Sequence, residues 1–295
     1  MAIDPVYLLQ LTLNGLVLGL LYALIAVGLA LIFGVLEIIN FAHGELLMLG
    51  AFAMAFALPA VGLLYWPALL IAVIASAVAG FIIYELFLSR LGSGEFERSL
   101  LITLALSIII LHVVQYLFTA NPRIVDTQYG FDGMQIGAIR ITWTRIIGAA
   151  AAVVAFALLY VVLNHTQAGR AMRAIAQNRE AALMVGIWPR AVARNAVVLA
   201  TALCGLAGAA LAPIQLVSPM MGQFLIFKAF ALVIIGGLGN IPGAIVAAIG
   251  LGLIESWIGG FFDIIWQEAA VFVAMIAALL LRPSGLFQKG AMRVG

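Results

Sequence analysis

Ionisable side chains are scarce in this sequence, so the few that fall inside apolar stretches are the ones able to do chemistry. Asn40, His43 and Glu45 lie within six residues, Asn40-Phe41-Ala42-His43-Gly44-Glu45, between two hydrophobic runs. An amide, an imidazole and a carboxylate so placed suit a polar or zwitterionic solute. The same residues also fit a turn between two helices, with His43 and Glu45 solvated, and spacing alone does not choose. Catalysis finds little footing. His43, His112 and His165 are far apart, and neither a His-Glu-x2-His metal motif nor a Ser, His and Asp arrangement stands out. Cys204 is the sole cysteine, which excludes an intrachain disulfide and a multi-cysteine metal site.

A second interruption, Gly236-Gly237-Leu238-Gly239-Asn240-Ile241-Pro242-Gly243, sits in the other half of the chain. Proline lacks a backbone donor and clashes with the preceding turn, so Pro242 favours a real helix break. Glycines that let helices approach closely are the alternative. Paired interruptions in two halves of an apolar chain point to a transport pathway, which here would comprise Asn40, His43, Gly44, Glu45, Gly236, Gly237, Gly239, Asn240, Pro242 and Gly243. Leucine at Gly237 is then expected to block passage while assembly is kept. Lys228 lies near a segment start and is read as snorkelling to the interface.

The third feature is basic. Residues 164–195 carry Arg170, Arg173, Arg179, Arg190 and Arg194 against Glu180 alone. The stretch Thr166 to Gly186 is rich in Ala, Met, Arg and Gln, all good helix formers, but too polar to cross a bilayer. One short helix ending near Gly186 is expected, with glycine as its left-handed cap. Ala181 and Ala182 permit close approach of a partner, and the arginines offer charged donors. An amphipathic linker on the membrane surface fits the same composition.

These features must be positioned by membrane-spanning elements. Of 295 residues, 66% are hydrophobic and 9% charged, and the mean hydropathy is +1.23, whereas a soluble domain carries about 25% charged residues. The chain is therefore read as all-α, with the lipid bilayer as its surroundings. A net charge of +2 argues against nucleic acid. No basic residue precedes the first apolar run, so that run is expected to persist in the mature protein. Charges bound the spans, because one at the bilayer centre costs roughly 2.5 to 3.5 kcal/mol. The gaps give segments 8–36, 45–60, 66–88, 99–119, 143–163, 192–216, 226–257 (broken near 237–243) and 263–281. That makes eight to nine membrane segments, some broken or re-entrant. Trp66, Trp143, Trp257 and Trp266 fall near expected ends, where an indole suits the interface.

The arginine stretch sets the orientation, since basic loops stay in the cytoplasm. The loop with Arg90 and Arg98 is then inside, residues 120–142 and the N-terminus outside, and the tail with Lys289 and Arg293 inside. Three simple crossings after the arginine loop would put the tail outside. The parity is restored if segment 226–257 enters and returns.

Three motifs in order resemble a known family. They are Gly34-Val-Leu-Glu-Ile-Ile-Asn-Phe-Ala-His-Gly-Glu-Leu-Leu-Met-Leu-Gly50, then Gly169-Arg-Ala-Met-Arg-Ala-Ile-Ala-Gln-Asn with Glu180-Ala-Ala-x3-Gly186, then Phe227-Lys-Ala-Phe with Gly236-Gly-x-Gly-Asn-Ile-Pro-Gly243. Together they look like the LivH-type permease of branched-chain amino acid ABC importers, over nearly the whole chain. The resemblance implies a single transmembrane permease domain, 1–295, in the bacterial inner membrane. It also implies that residues 170–186 form the coupling helix that touches an ATPase, through Arg170, Arg173, Arg179, Glu180, Ala181, Ala182 and Gly186. Implied partners are a second, LivM-like permease, two cytoplasmic LivG- and LivF-like ATPases, and a periplasmic binding protein. The chain has no Gly-x4-Gly-Lys-[Ser/Thr] loop, so it is not expected to be an enzyme by that route. No cofactor is expected in this chain; ATP and magnesium belong to the ATPases. Rival readings are a urea or short-amide permease, a self-contained secondary transporter and an intramembrane hydrolase.

Overall fold

Lipid offers no partner for a free N–H or C=O, so each apolar run must close its hydrogen bonds on itself as a helix. The computed structural model describes residues 4–62, 64–91, 95–282 and 285–287. Along the first half run α1 (Pro5–Leu36), α2 (His43–Ala60), α3 (Tyr65–Leu86) and α4 (Phe96–Phe118). A hairpin of β1 (Gly133–Ile136) and β2 (Ile139–Thr142) leads into α5 (Trp143–His165). Two short helices, α6 (Gln167–Gln177) and α7 (Arg179–Met184), precede α8 (Pro189–Leu211), α9 (Met221–Gly236), α10 (Ile241–Phe261) and α11 (Ile264–Leu281). Among the described residues, seven helices are long and apolar enough to cross a membrane, and α9 and α11 are shorter apolar helices.

α1 is the axis of the bundle. Asp4 caps it by accepting from the Val6 amide at 3.0 Å, and Pro5 fills the first turn, where a missing donor costs nothing. From Leu21 to Ile32 every residue is buried, so the helix is apolar on all sides and enclosed by protein. Small residues allow this. A Cβ on Gly15 would lie 2.8 Å from the Gly252 carbonyl oxygen, and one on Gly19 would lie 2.7 Å from the Ile249 Cα, so α1 and α10 meet backbone to backbone. α2 and α8 meet the same way at Gly50 and Gly205, 2.6 Å by the same measure.

Hydrogen bonds define the two ends of the bundle. At one end Gln10 of α1 bonds to Arg140 of the hairpin, and Tyr7 bonds to the Gly260 carbonyl. Arg123 and Val217 pair there as an isolated bridge. Trp66, Trp143, Trp257 and Trp266 all belong to helix ends on this side and are partly exposed, as an interfacial aromatic belt requires. The other end gathers Arg90, Arg98, Arg170, Arg173, Arg179, Arg190 and Arg194. Glu85 holds Arg190 at 3.0 Å and Arg194 at 3.7 Å there.

The structure departs from the sequence expectations at several boundaries. The first interruption spans residues 37–42, and His43, Gly44 and Glu45 form the opening turn of α2. Gly44 stays helical because it packs on Gly222 of α9, a contact that any side chain would prevent. α8 ends at Leu211, not 216, and α9 begins at Met221, not 226. The hairpin in residues 120–142 is an addition to an otherwise helical chain. The broken segment is two helices, α9 and α10, so four helices follow the arginine stretch where the sequence suggested three simple crossings. Lys289 and Arg293 lie outside the described residues.

The close contact of α1 and α10 yields a test in thermal unfolding of detergent-solubilised protein. Gly19→Leu should cost about 1 to 3 kcal/mol through overpacking. Gly250→Ala, on the same helix as Gly252 but with nothing within 4 Å of its Cβ position, should be neutral or stabilising by up to about 1 kcal/mol.

Candidate functional site

Four polar features interrupt the apolar bundle, and the first is the start of α2. Glu37 closes α1 in the left-handed conformation, its amide donating to the Phe33 carbonyl at 2.9 Å. The chain then turns back inward. Thr103 of α4 fastens it, donating to the Ile39 carbonyl at 3.1 Å and accepting from the Phe41 amide at 3.2 Å. The His43 ring packs against Gly28 of α1, eight residues before that helix ends. α2 therefore begins about 12 Å along α1 from its terminus, inside the bundle.

Asn40, His43 and Glu45 are all buried, at 0%, 0% and 1% exposure, which excludes a solvated turn. Ser107 of α4 donates to Glu45 Oε1 at 2.9 Å, and Cys204 of α8 donates to the His43 carbonyl at 3.2 Å. Among the described residues, both amide atoms of Asn40 and Glu45 Oε2 have no hydrogen-bond partner. Such groups are expensive in an apolar interior and are retained where they serve a function.

The second feature is the break between α9 and α10. Gly237 has φ 96° and Gly239 φ 77°, conformations that suit glycine, and Asn240 caps α10 by accepting from the Gly243 amide at 3.1 Å. Asn240 also donates to the Phe287 carbonyl at 2.9 Å. Gly236 and Gly243 pack backbone to backbone across the break, Gly239 lies against Gly34, and Pro242 is exposed in the first turn of α10. Leucine at Gly237 would force a strained backbone, since φ there is 96°. It therefore reports on folding, not on passage alone. The two interruptions share one end of the bundle. They are linked through α9, whose Phe230 ring lies 4.8 Å from the Phe41 ring.

Third, the basic stretch is an elbow of two helices, not one. Thr166 caps α6 through the Gly169 amide at 3.1 Å, and Asn178 caps α7 through the Ala181 amide at 2.9 Å. Asn178 takes an extended conformation, φ −159°, so the first helix must end before the second starts. Met172 and Ile175 of α6 are buried, whereas Arg170 and Arg173 are exposed and Arg179 is half-buried. In α7, Ala182 is buried and Glu180 and Ala181 face outward. Leu183, Met184, Val185 and Trp188 beside them are exposed, Met184 by 89%. Gly186 terminates this elbow at φ 83°.

The fourth feature escaped the sequence reading. Lys228 does not snorkel. It stands in the middle of α9, and its ammonium lies 2.6 Å from Glu255 Oε1 of α10. Tyr22 of α1 donates to the same oxygen at 3.2 Å, and the ammonium lies 5.2 Å from the centre of the tyrosine ring. Charges were used in the sequence to mark span edges, so Lys228 and Glu255 were each read as a boundary. Two opposite charges on segments joined by a tight break were the available signal.

The cap at the break generates a test. Asn240→Ala should destabilise the protein by about 1 kcal/mol, while Asn240→Ser, which keeps a capping oxygen, should lose less. Denaturant titration of the detergent-solubilised chain would measure the difference.

Comparison with known proteins gives this geometry its context. The family described as "Branched-chain amino acid transport system / permease component" matches residues 11–281. The chain is 28% identical to the high-affinity branched-chain amino acid transport system permease protein LivH of Salmonella typhimurium, over 95% of both chains. It is equally similar, 28% over 95% of both, to the corresponding protein BraD of Pseudomonas aeruginosa. It is 26% identical to the permease protein LivM of Escherichia coli K12, over 91% of this chain and 68% of that one. No solved structure matches the chain. A family match over nearly the whole length, on a bundle of membrane-crossing helices, means that this chain belongs to the permease-component family of branched-chain amino acid transport systems.

Proposed function

We propose that this chain is a membrane-spanning permease subunit of an ATP-driven importer that carries branched-chain, hydrophobic amino acids across a bacterial inner membrane. The match over residues 11–281 carries the reading. Likeness to LivH and LivM together supports a heteromeric complex with a second, related permease. Two cytoplasmic ATPases, which bind ATP and magnesium, and a periplasmic binding protein complete it. The concentration of arginines at the elbow end supports placing that end, and with it the C-terminal end of α11, in the cytoplasm. The N-terminus of α1 and the hairpin then face the periplasm.

The elbow within residues 164–195 is the coupling element of this mechanism. Exposed Leu183, Met184, Val185 and Trp188 beside exposed arginines form an apolar patch with a charged rim, the composition of a docking surface. Ile187, in the short link that leads into α8, folds back on α7 by donating to the Ala182 carbonyl at 3.0 Å. ATP-driven movement of an ATPase is thereby passed to α8, which packs on α1, α2 and α3. Rearrangement about the interruptions at 37–42 and 237–240 then exposes the pathway to alternate sides. Asn40, His43 and Glu45 on one side and Gly236 to Gly243 on the other are its proposed lining.

Two measurements check this reading. Proteoliposomes containing the co-purified subunits and receptor should take up labelled leucine only with ATP, and urea or short amides should not compete. Ala181→Glu should lower that uptake by about tenfold or more through a lost docking contact. Position 181 lies three residues after the Asn178 cap, where glutamate favours a helix start, so α7 itself should persist. Parental uptake by this variant would remove the elbow from the mechanism.

A further inference from the structure

The pair of Lys228 and Glu255 is buried to an unequal degree. The Lys228 side chain is 15% exposed and that of Glu255 7% exposed. α9 has 16 residues and Lys228 is its eighth, so the charge stands about 10 Å from the nearer helix end. That depth is beyond comfortable reach of either interface, and a lysine whose remaining exposure faced acyl chains would be costly. Its open side must therefore face water or another protein subunit. The neighbouring α9 side chains Phe224 and Phe227 are also exposed, at 56% and 50%.

The arrangement is also chemically incomplete. Glu255 Oε1 receives both Lys228 and the Tyr22 hydroxyl, while Glu255 Oε2 is buried and without a partner among the described residues. One cation, one half-engaged carboxylate and one phenol converge from three helices. This is the complement of a group that carries an ammonium and a carboxylate on one carbon.

We propose that Lys228, Glu255 and Tyr22 form a membrane-embedded subsite for the zwitterionic headgroup of an α-amino acid. The inference rests on the proposed transport function and adds to it the residues that receive the headgroup. With no cargo present, Lys228 and Glu255 neutralise each other. On arrival, the substrate carboxylate takes the Lys228 ammonium and its ammonium takes the free oxygen of Glu255. Exchange of ion-pair partners keeps the net charge in the membrane at zero throughout, so neither charge is left unpaired at depth. Tyr22 holds Glu255 in place during the exchange. The hydrophobic part of the cargo would lie along apolar helix faces, which require no specific donor.

The test uses the complete importer with its receptor in proteoliposomes, with assembly followed by co-purification. K228M and E255Q should each reduce leucine uptake by about tenfold or more, with the subunits still co-purifying and receptor still stimulating ATP hydrolysis. The double variant K228E/E255K restores an ion pair and should rescue stability without rescuing uptake, because Tyr22 then faces the wrong charge. A second readout is access. In a C204A background, K228C should react with a small charged thiosulfonate, and receptor-delivered leucine during ATP turnover should slow the reaction. Uptake restored by the charge swap, parental uptake by both single variants, or a K228C thiol sealed from the reagent would each overturn the proposal. If the parental complex itself carried no amino acid, the transport reading would fail instead, which keeps the two failures distinct.

Discussion

Hydrocarbon cannot hydrogen-bond, and that single deficiency governs this molecule. Every broken helix and every charge must be sealed by protein, because an unsatisfied polar group in lipid costs several kcal/mol. The long buried run of α1 follows from this. It is the wall against which the interruptions at 37–42 and 237–240 are closed, by His43 at Gly28 and by Gly239 at Gly34. Glycine contacts between α1 and α10 and between α2 and α9 bring backbones close enough for the sealing to work. Packing that would be wasteful in a soluble protein is here the means of association between helices.

The seal is not complete, and its gaps are informative. Asn40 and Glu45 retain unpartnered atoms beside the start of α2, and Glu255 retains one in the charged cluster of α9 and α10. Two separate polar features therefore lie within the bundle. One is an amide, imidazole and carboxylate at an embedded helix start; the other is an ion pair. The same short helix touches both, since α9 meets Gly44 at Gly222 in its first turn and Glu255 at Lys228 near its middle. Movement of α9 would alter both together, which gives a mechanical reason for a helix of only 16 residues, about 24 Å, in a core of roughly 30 Å.

Much of this was legible beforehand because membrane helices leave a coarse signature. Length between charges locates the spans, and the conflict between arginine placement and span number points to a break at Gly236 to Gly243. Finer features depended on contacts the sequence does not encode locally. Gly44 reads as a breaker until Gly222 is known to lie against it. Asn178 reads as helical filler until its capping of α7 is seen. Lys228 and Glu255, 27 residues apart, read as two edges because the rule that finds spans assigns charges to their ends. The hairpin at 133–142 carries no strong alternation, and its placement depends on Gln10 of α1.

Energy for transport has to enter at the arginine-rich elbow if this account holds, and amide hydrogen exchange reads that contact directly. Exchange at residues 179–186 should slow markedly when the ATPase subunits join the permeases, while the hairpin at 133–142 should be unaffected. Unchanged exchange at the elbow in a complex that hydrolyses ATP and imports leucine would contradict the account.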